Sequence, residues 1–214
     1  MIGIMINEIF SSLDGEANWY GQGGRCTFIR FAGCNLSCSY CDTEYALKLS
    51  DGKEMSIEEI IKEVNKYDNK RITITGGEPL LQRGGLKELT KKLWHTGYQV
   101  SVETNGSLKL DGYGVVSWVV DFKLPSSGQY DQMKEVIFNR LTASDFVKFV
   151  IEDRNDFDTA VQRRNYFIAN GCAAKFAFSP ITGKLEPKQL LKWMQESEVD
   201  GILNIQIHKF FGLK

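Results

Sequence analysis

Three cysteines lie within eight residues, Cys34-x3-Cys38-x2-Cys41. Thiolates at this spacing can hold three corners of a 4Fe-4S cube, leaving the fourth iron without a protein ligand and open to a small molecule. The same thiols could instead build a zinc knuckle completed by Cys172, His95 or His208, because tetrahedral zinc also takes thiolates so spaced. A second constellation, Ile74-Thr75-Gly76-Gly77-Glu78-Pro79, ends a β-branched stretch with two glycines and a carboxylate. Backbone without side chains lets a ligand come close, and a charged amino acid moiety would fit there. On this reading Gly77 admits no side chain because the ligand lies against its backbone. Arg30 offers a guanidinium fork suited to a carboxylate. Cys26 and Cys172 sit in or beside apolar segments and read as small core residues. His95 ends an amphipathic helix and complements its C-terminal dipole.

These residues need a scaffold to bring them together. Thr27–Ala32 reads as a strand, so the thiols leave its carboxyl end. Ser56 with Glu59 is a capping box opening a helix whose apolar face is Ile57, Ile60, Ile61 and Val64, ending near Tyr67. Arg71–Thr75 is a second strand, broken by Gly76, Gly77 and Pro79, and Leu86–Trp94 is amphipathic helix. The alternation continues with strands at Tyr98–Glu103, Val115–Asp121, Phe146–Ile151, Phe176–Ser179 and Ile202–Ile207, and helices at Asp156–Ile168 and Pro187–Gln195. Serial βα winding predicts an α/β fold with right-handed crossovers, and about six to seven mostly parallel strands make a shortened or partial (β/α) barrel. Function then belongs at the carboxyl ends of the strands, where the cysteine loop, Gly76–Pro79, Glu103–Asn105 and Asp121–Lys123 all fall. Leu124–Gln129 is the one loop that reads as long and pliable.

Length and charge set further bounds. A chain of 214 residues fits one domain, 1–214. Lys and Arg total 26 against 27 for Asp and Glu, so no global field attracts a polyanion and nucleic acid is not expected as a partner. The longest apolar segment, Val115–Val120, falls well short of the ~20 residues that cross a bilayer, so no membrane association is expected. MIGIMINEIF lacks a basic start and puts Asn7 and Glu8 where a signal peptide needs an apolar run. A cytoplasmic protein is expected, in a reducing compartment where clustered thiols hold a metal.

The cysteine triad and the glycine loop together resemble the radical S-adenosylmethionine superfamily, whose CxxxCxxC binds a 4Fe-4S cluster and whose GGEP-type loop faces the cofactor's methionine amino group. A closer resemblance runs through Glu8-Ile9-Phe10, Leu13-Asp14-Gly15-Glu16, Phe28–Leu36, Cys41-Asp42-Thr43, Glu103–Ser107, Asp121-Phe122-Lys123 and Gln206–Phe210. These are similar to the 7-carboxy-7-deazaguanine synthase family, with one departure: the family's Gln-Gly-Glu-Gly is here Asp14-Gly15-Glu16-Ala17. The resemblance implies ring contraction of 6-carboxy-5,6,7,8-tetrahydropterin to 7-carboxy-7-deazaguanine with loss of ammonia, toward queuosine and other 7-deazapurines. A radical from S-adenosylmethionine starts the reaction, so the protein's task is positioning and exclusion.

The resemblance also implies roles. Cys34, Cys38 and Cys41 hold the cluster. Tyr40, Asp42, Gly76, Gly77, Glu78, Asp121, Phe122, Lys123 and Ser179 surround S-adenosylmethionine. Leu13, Asp14, Gly15, Glu16, Arg30, Thr75, Glu103, His208 and Lys214 surround the substrate, with Arg30 on its carboxylate and Glu16 and Glu103 accepting from the pterin N–H edge. Thr43 ligates Mg²⁺ that also touches the substrate carboxylate. An external one-electron donor of flavodoxin or ferredoxin type and a homodimer follow from the same resemblance. A glycyl-radical-enzyme activase would share the triad and glycine loop, but it has no use for Gly15-Glu16 and Arg30 around a small carboxylated ring. A non-catalytic zinc or cluster-binding module would need neither the barrel nor the glycine loop.

Overall fold

The structure, a computed structural model, describes residues 2–110 and 116–213. Its centre is one nine-stranded sheet. The strands are β1 (Gly3–Leu13), β2 (Arg25–Phe31), β3 (Lys53–Ser56), β4 (Arg71–Gly76), β5 (Gln99–Thr104), β6 (Ser117–Asp121), β7 (Phe146–Ile151), β8 (Lys175–Pro180) and β9 (Ile202–Leu203). Their order is β3-β1-β2-β4-β5-β6-β7-β8-β9, and every neighbouring pair from β2 to β9 is parallel. The sheet is curved open rather than closed, as a partial barrel requires.

The seven parallel strands are those that the sequence pattern locates. Two more were not expected: β1 runs antiparallel to β2, and β3 pairs antiparallel with β1. The polar residues Asn7 and Glu8 interrupt the apolar run of β1, yet Ile4 and Ile6 alternate into the core. At the other edge the strand expected over 202–207 stops at Leu203. Asn204 still donates its amide to Phe178 O (2.8 Å), and its side chain accepts from the Ala17 amide (2.8 Å) and donates to Ser179 Oγ (2.8 Å). The chain then turns into the short helix α6 (Ile207–Phe210) instead.

Crossover helices α1 (Ile57–Val64), α2 (Arg83–His95), α4 (Arg154–Ala169) and α5 (Pro187–Glu196) lie near their expected bounds, with a short α3 (Glu135–Phe138) between β6 and β7. The Ser56–Glu59 capping box is formed in both directions, at 3.2 and 2.8 Å. The loop Leu124–Gln129 is not pliable. Pro125–Ser127 winds into a 3-10 turn, and the buried Asp156 carboxylate of α4 accepts from the Ser126 amide (3.1 Å) and hydroxyl.

Strand alternation sorts the two faces of the sheet. Ile72, Ile74, Val100, Val102, Trp118, Val120, Val147, Phe149, Phe176 and Phe178 join the helices in the main hydrophobic core. The intervening positions Thr73, Thr75, Ser101, Glu103, Asp121, Lys148 and Ser179 point to the opposite, concave face. Phe122 lies on the core side, packed against Tyr130, Phe138, Phe149 and Phe167 with ring centroids 5.2 to 6.0 Å apart. This corrects its expected place beside S-adenosylmethionine. Phe122→Ala should therefore cost about 3–5 kcal/mol in stability by chemical denaturation, as truncated buried aromatics do. A side chain that merely lined a ligand site would leave stability near the wild-type value.

Candidate active site

A cavity of about 530 Å³ opens on the concave face at the carboxyl ends of the parallel strands. Its volume is that of a small-molecule site. One wall is the loop that follows β2. Cys34, Cys38 and Cys41 all line the cavity, and none is in a disulfide. The loop is fixed by backbone bonds Gly33 N–H to Ala46 O, Cys34 N–H to Leu47 O and Cys41 N–H to Cys38 O, at 2.9 to 3.2 Å. Asn105 Nδ2 donates to Asn35 Oδ1 (3.0 Å) and lies 3.8 Å from Cys34 Sγ. The turn held by Asp156 also reaches this loop, because Ser39 donates from its amide to Ser127 O and from its hydroxyl to Ser126 O. Burial pushes the Cys34 and Cys38 thiols above their ordinary range, and a metal cation beside them would favour their ionisation.

Among the described residues no three Cys, His, Asp or Glu side chains close round a single ion. Cys172 is buried in the hydrophobic core and His95 bonds the Lys91 carbonyl at the exposed end of α2, so neither completes a zinc knuckle, while His208 shares the cavity with the thiols without closing an ion site with them. Three free thiols lining one cavity suit three corners of a cluster.

The glycine loop is locked onto the start of the cysteine loop. Gly77 N–H donates to Phe31 O (3.1 Å) and Glu78 N–H to Gly33 O (2.8 Å). Gly76 has φ +142°, and a Cβ there would lie 2.2 Å from the Phe31 carbonyl oxygen. A Cβ on Gly77 would lie 2.2 Å from the Gly33 carbonyl oxygen. The close approach that excludes a side chain at Gly77 is thus to the chain itself. Glu78 is corrected as well: it does not line the cavity and is fully buried. Its carboxylate accepts from the Leu80 amide, the Thr104 hydroxyl and the Asn105 amide at 2.7 to 2.9 Å, tying the ends of β4 and β5 together.

The cavity also has a charged lining. Arg30 lines it, with its Nε on Glu8 Oε1 (2.8 Å) and its guanidinium 5.7 Å from the ring centres of Phe10 and Tyr45. Thr75, register partner of Arg30, donates to Glu103 Oε2 (2.7 Å). Burial, then the charge of Glu16, pushes the Glu103 carboxyl up to about 7. Glu16 accepts from Lys148 Nζ (2.6 Å) and Gln206 Nε2 (2.9 Å). Asp121 receives Lys123 (2.9 Å) and Lys148 (3.5 Å), and although burial opposes it, these cations hold its carboxyl below the ordinary range. His208 packs so closely on Gly15 that a Cβ there would meet its ring, and Ile207 N–H donates to Gly15 O.

Of the expected site residues, Gly15, Glu16, Arg30, Tyr40, Asp42, Thr43, Thr75, Gly76, Gly77, Glu103, Asp121, Lys123, Ser179 and His208 share this cavity with the three cysteines. Leu13 and Asp14 do not. Leu13 pairs with Arg25 at the end of the β1–β2 ladder. The buried Asp14 carboxylate takes Asn18 Nδ2 at 2.7 Å, and burial pushes it up to about 6. Its backbone bonds Gly23 and Gly24, so it shapes the loop that carries Glu16. Lys214 lies outside the described residues. Lys148, Gln206, Lys209 and Asn105 also line the cavity, though sequence reasoning singled out none of them as site residues. The signal for Lys148 was its place on an inward position of a strand otherwise made of Phe, Val and Ile.

The description "Radical SAM superfamily" matches residues 28–140. Curated relatives carrying the name 7-carboxy-7-deazaguanine synthase include those of Koribacter versatilis, 35% identical and covering 97% of this chain and 96% of the relative, and Methanospirillum hungatei, 35% identical and covering 99% and 86%. The chain belongs to the 7-carboxy-7-deazaguanine synthase family. A third relative, from Clostridium acetobutylicum, is 35% identical over 94% of this chain and 93% of its own. The fold matches the crystal structure of QueE from Escherichia coli with a TM-score of 0.77 over 96% of this chain and 95% of that one, at 22% identity. Family membership of this coverage supports a 4Fe-4S cluster and S-adenosylmethionine as cofactors and sets aside the activase and the zinc module.

The Gly77–Gly33 contact generates a test. Gly77→Val must push the Gly33 carbonyl, which immediately precedes Cys34, so iron content after anaerobic reconstitution should fall below half of wild type. Retention of full iron content with loss only of S-adenosylmethionine binding would assign the glycine to the cofactor instead.

Proposed function

We propose that the chain is a radical SAM lyase that contracts 6-carboxy-5,6,7,8-tetrahydropterin to 7-carboxy-7-deazaguanine with release of ammonia, on the route to queuosine and other 7-deazapurines. The observation that carries this reading is one cavity lined both by the three thiols and by Arg30, Glu16 and Glu103. When bound, the cluster and S-adenosylmethionine supply the hydrogen-abstracting radical. Cys34, Cys38 and Cys41 hold the cluster, and Tyr40, Gly76, Asp121, Lys123 and Ser179 surround the sulfonium cofactor. Arg30 receives the substrate carboxylate, with Glu8 holding its guanidinium in place. Glu16 and Glu103 accept from the pterin N–H edge, and Thr75 fixes the Glu103 rotamer.

Mg²⁺ fits Thr43, whose hydroxyl lines the cavity and bonds Asp42 (3.0 Å), while Asp42 is held by Lys209 (2.9 Å). Mg²⁺ commonly keeps several waters and needs few protein ligands. The electron comes from an external donor of flavodoxin or ferredoxin type, in the cytoplasm. Among the described residues no helix is long and apolar enough to cross a membrane. A homodimer is the assembly this reading favours, since the sheet ends in open edges. Sedimentation of active protein should give twice the chain mass, and an active monomer at high concentration would refute it.

Losing a charge-assisted bond of roughly 1.5–3 kcal/mol should weaken pterin use about ten- to a hundredfold in Arg30→Ala. That variant should still make 5'-deoxyadenosine, uncoupled from product. An unchanged KM for the pterin would make Arg30 structural.

Ionised, Glu103 is acceptor-only and binds N–H donors through stronger charge-assisted bonds, so the apparent pterin affinity should rise with pH through about 7 and level off above it. Glu103→Gln should flatten that profile. The same rise in the Gln variant would assign it to another group.

A further inference from the structure

Lys148 stands out because its ammonium is placed among groups from four separate segments. It rises from the middle of β7, is 8% exposed, and puts Nζ 2.6 Å from Glu16 Oε2 and 3.5 Å from Asp121 Oδ2. Glu16 belongs to the loop after β1, Asp121 to the end of β6, and the register sets Asp121 directly beside Lys148. Glu103 faces the same cation from β5, Lys123 from the turn after β6, and Asp42 from the cysteine loop. Asp14 adds negative charge near Glu103, and His208 faces Glu16 from α6.

Three carboxylates thus meet in the cavity, with two lysines between them. A carboxylate on a loop can take many rotamers, whereas Lys148 is anchored in a strand between β6 and β8 and its position is set by the sheet. The bond at 2.6 Å holds Glu16 Oε2, and Gln206 holds Oε1 at 2.9 Å, so both oxygens of Glu16 are oriented before any ligand arrives.

We infer that Lys148 is a positioning residue for the pterin: through its bond to Glu16 it fixes the carboxylate that accepts from the pterin ring, and its charge keeps the neighbouring Glu103 available as a second acceptor. The inference rests on the substrate reading above. Electrostatics agree with the geometry. Burial works against the Lys148 charge, yet Asp121, Glu16 and Glu103 hold its ammonium well above the ordinary lysine range, so it is a cation throughout the working pH range. Lys148 in turn lowers Glu103, so its removal drives the Glu103 carboxyl further up.

The test is binding of 6-carboxypterin, the oxidised fluorescent analogue, to reconstituted holoenzyme with S-adenosylmethionine and no reductant, over pH 6 to 9. Lys148→Met should weaken binding about ten- to a hundredfold and move the pH midpoint upward, with iron content and S-adenosylmethionine affinity within about twofold of wild type. Glu16→Gln should weaken binding comparably, and at pH 9, where Glu103 is ionised, the double variant should be little worse than Glu16→Gln alone, because there both changes remove the one Lys148–Glu16 interaction. Lys148→Arg should restore most of the affinity. Wild-type affinity in Lys148→Met, multiplying losses in the double variant at pH 9, or an Arg variant as weak as Met would each overturn the inference. Should Lys148→Met fail to fold, the Arg variant and its pH midpoint decide. If the wild-type holoenzyme neither binds 6-carboxypterin nor consumes the tetrahydropterin, the substrate reading itself fails, and this inference with it.

Discussion

The buried carboxylate of Glu78 is the interaction on which the site depends. Fully desolvated, it accepts from the Leu80 amide, the Thr104 hydroxyl and the Asn105 amide, and together these fix the carboxyl ends of β4 and β5 relative to each other. The two glycines before it let the same loop lie flat on Phe31 and Gly33, where any Cβ would collide with backbone. The chain entering the cysteine loop is therefore clamped between the glycine loop and Leu47, and Asn105, held by Glu78, reaches across to Asn35 and Cys34. Three strand ends are thus joined by one residue, Glu78, through its carboxylate and its amide, and its side chain lies behind the cavity wall.

The second organising feature is the segregation of the two sheet faces. Parallel strands are covered by helices on one side, and apolar residues at alternate positions pack there. The free concave side can then carry ionisable groups at the remaining positions, in a medium where each needs a partner. Lys123 and Lys148 answer Asp121 and Glu16, Glu8 answers Arg30, and Lys209 answers Asp42. Glu103 is the exception among the described residues: it is in no ion pair, and Thr75 donates to it. Burial, then the charge of Glu16, raises its carboxyl, and Lys148 and Thr75 only partly offset this.

Much of this was legible in the sequence. The seven parallel strands show as short β-branched runs followed by glycine or cysteine punctuation, and the crossover helices as capped amphipathic stretches. The cysteine triad, the glycine loop, Arg30 and Glu103 all fall at strand ends, where the parallel fold gathers them. Other features were hidden because they depend on long-range pairing. β1 and β3 exist only through antiparallel pairing across the sheet edge, and Asn7 and Glu8 mask the alternation of β1. Glu78, Phe122, Leu13 and Asp14 belong to the right segments but their side chains face away from the cavity, which local sequence cannot specify at a loop or strand end. Lys148 looks like an ordinary lysine until register places it between Asp121 and Glu16.

The central claim is that the thiols and the charged groups lining one cavity serve a single reaction. Its most direct measurement is anaerobic reconstitution of the chain with iron and sulfide, incubation with S-adenosylmethionine, reductant and 6-carboxy-5,6,7,8-tetrahydropterin, and mass spectrometry of the products. The account predicts a brown protein that forms 7-carboxy-7-deazaguanine together with 5'-deoxyadenosine and ammonia. A protein that loads the cluster and cleaves S-adenosylmethionine but leaves the pterin intact, or one that carries zinc and no iron, would contradict it.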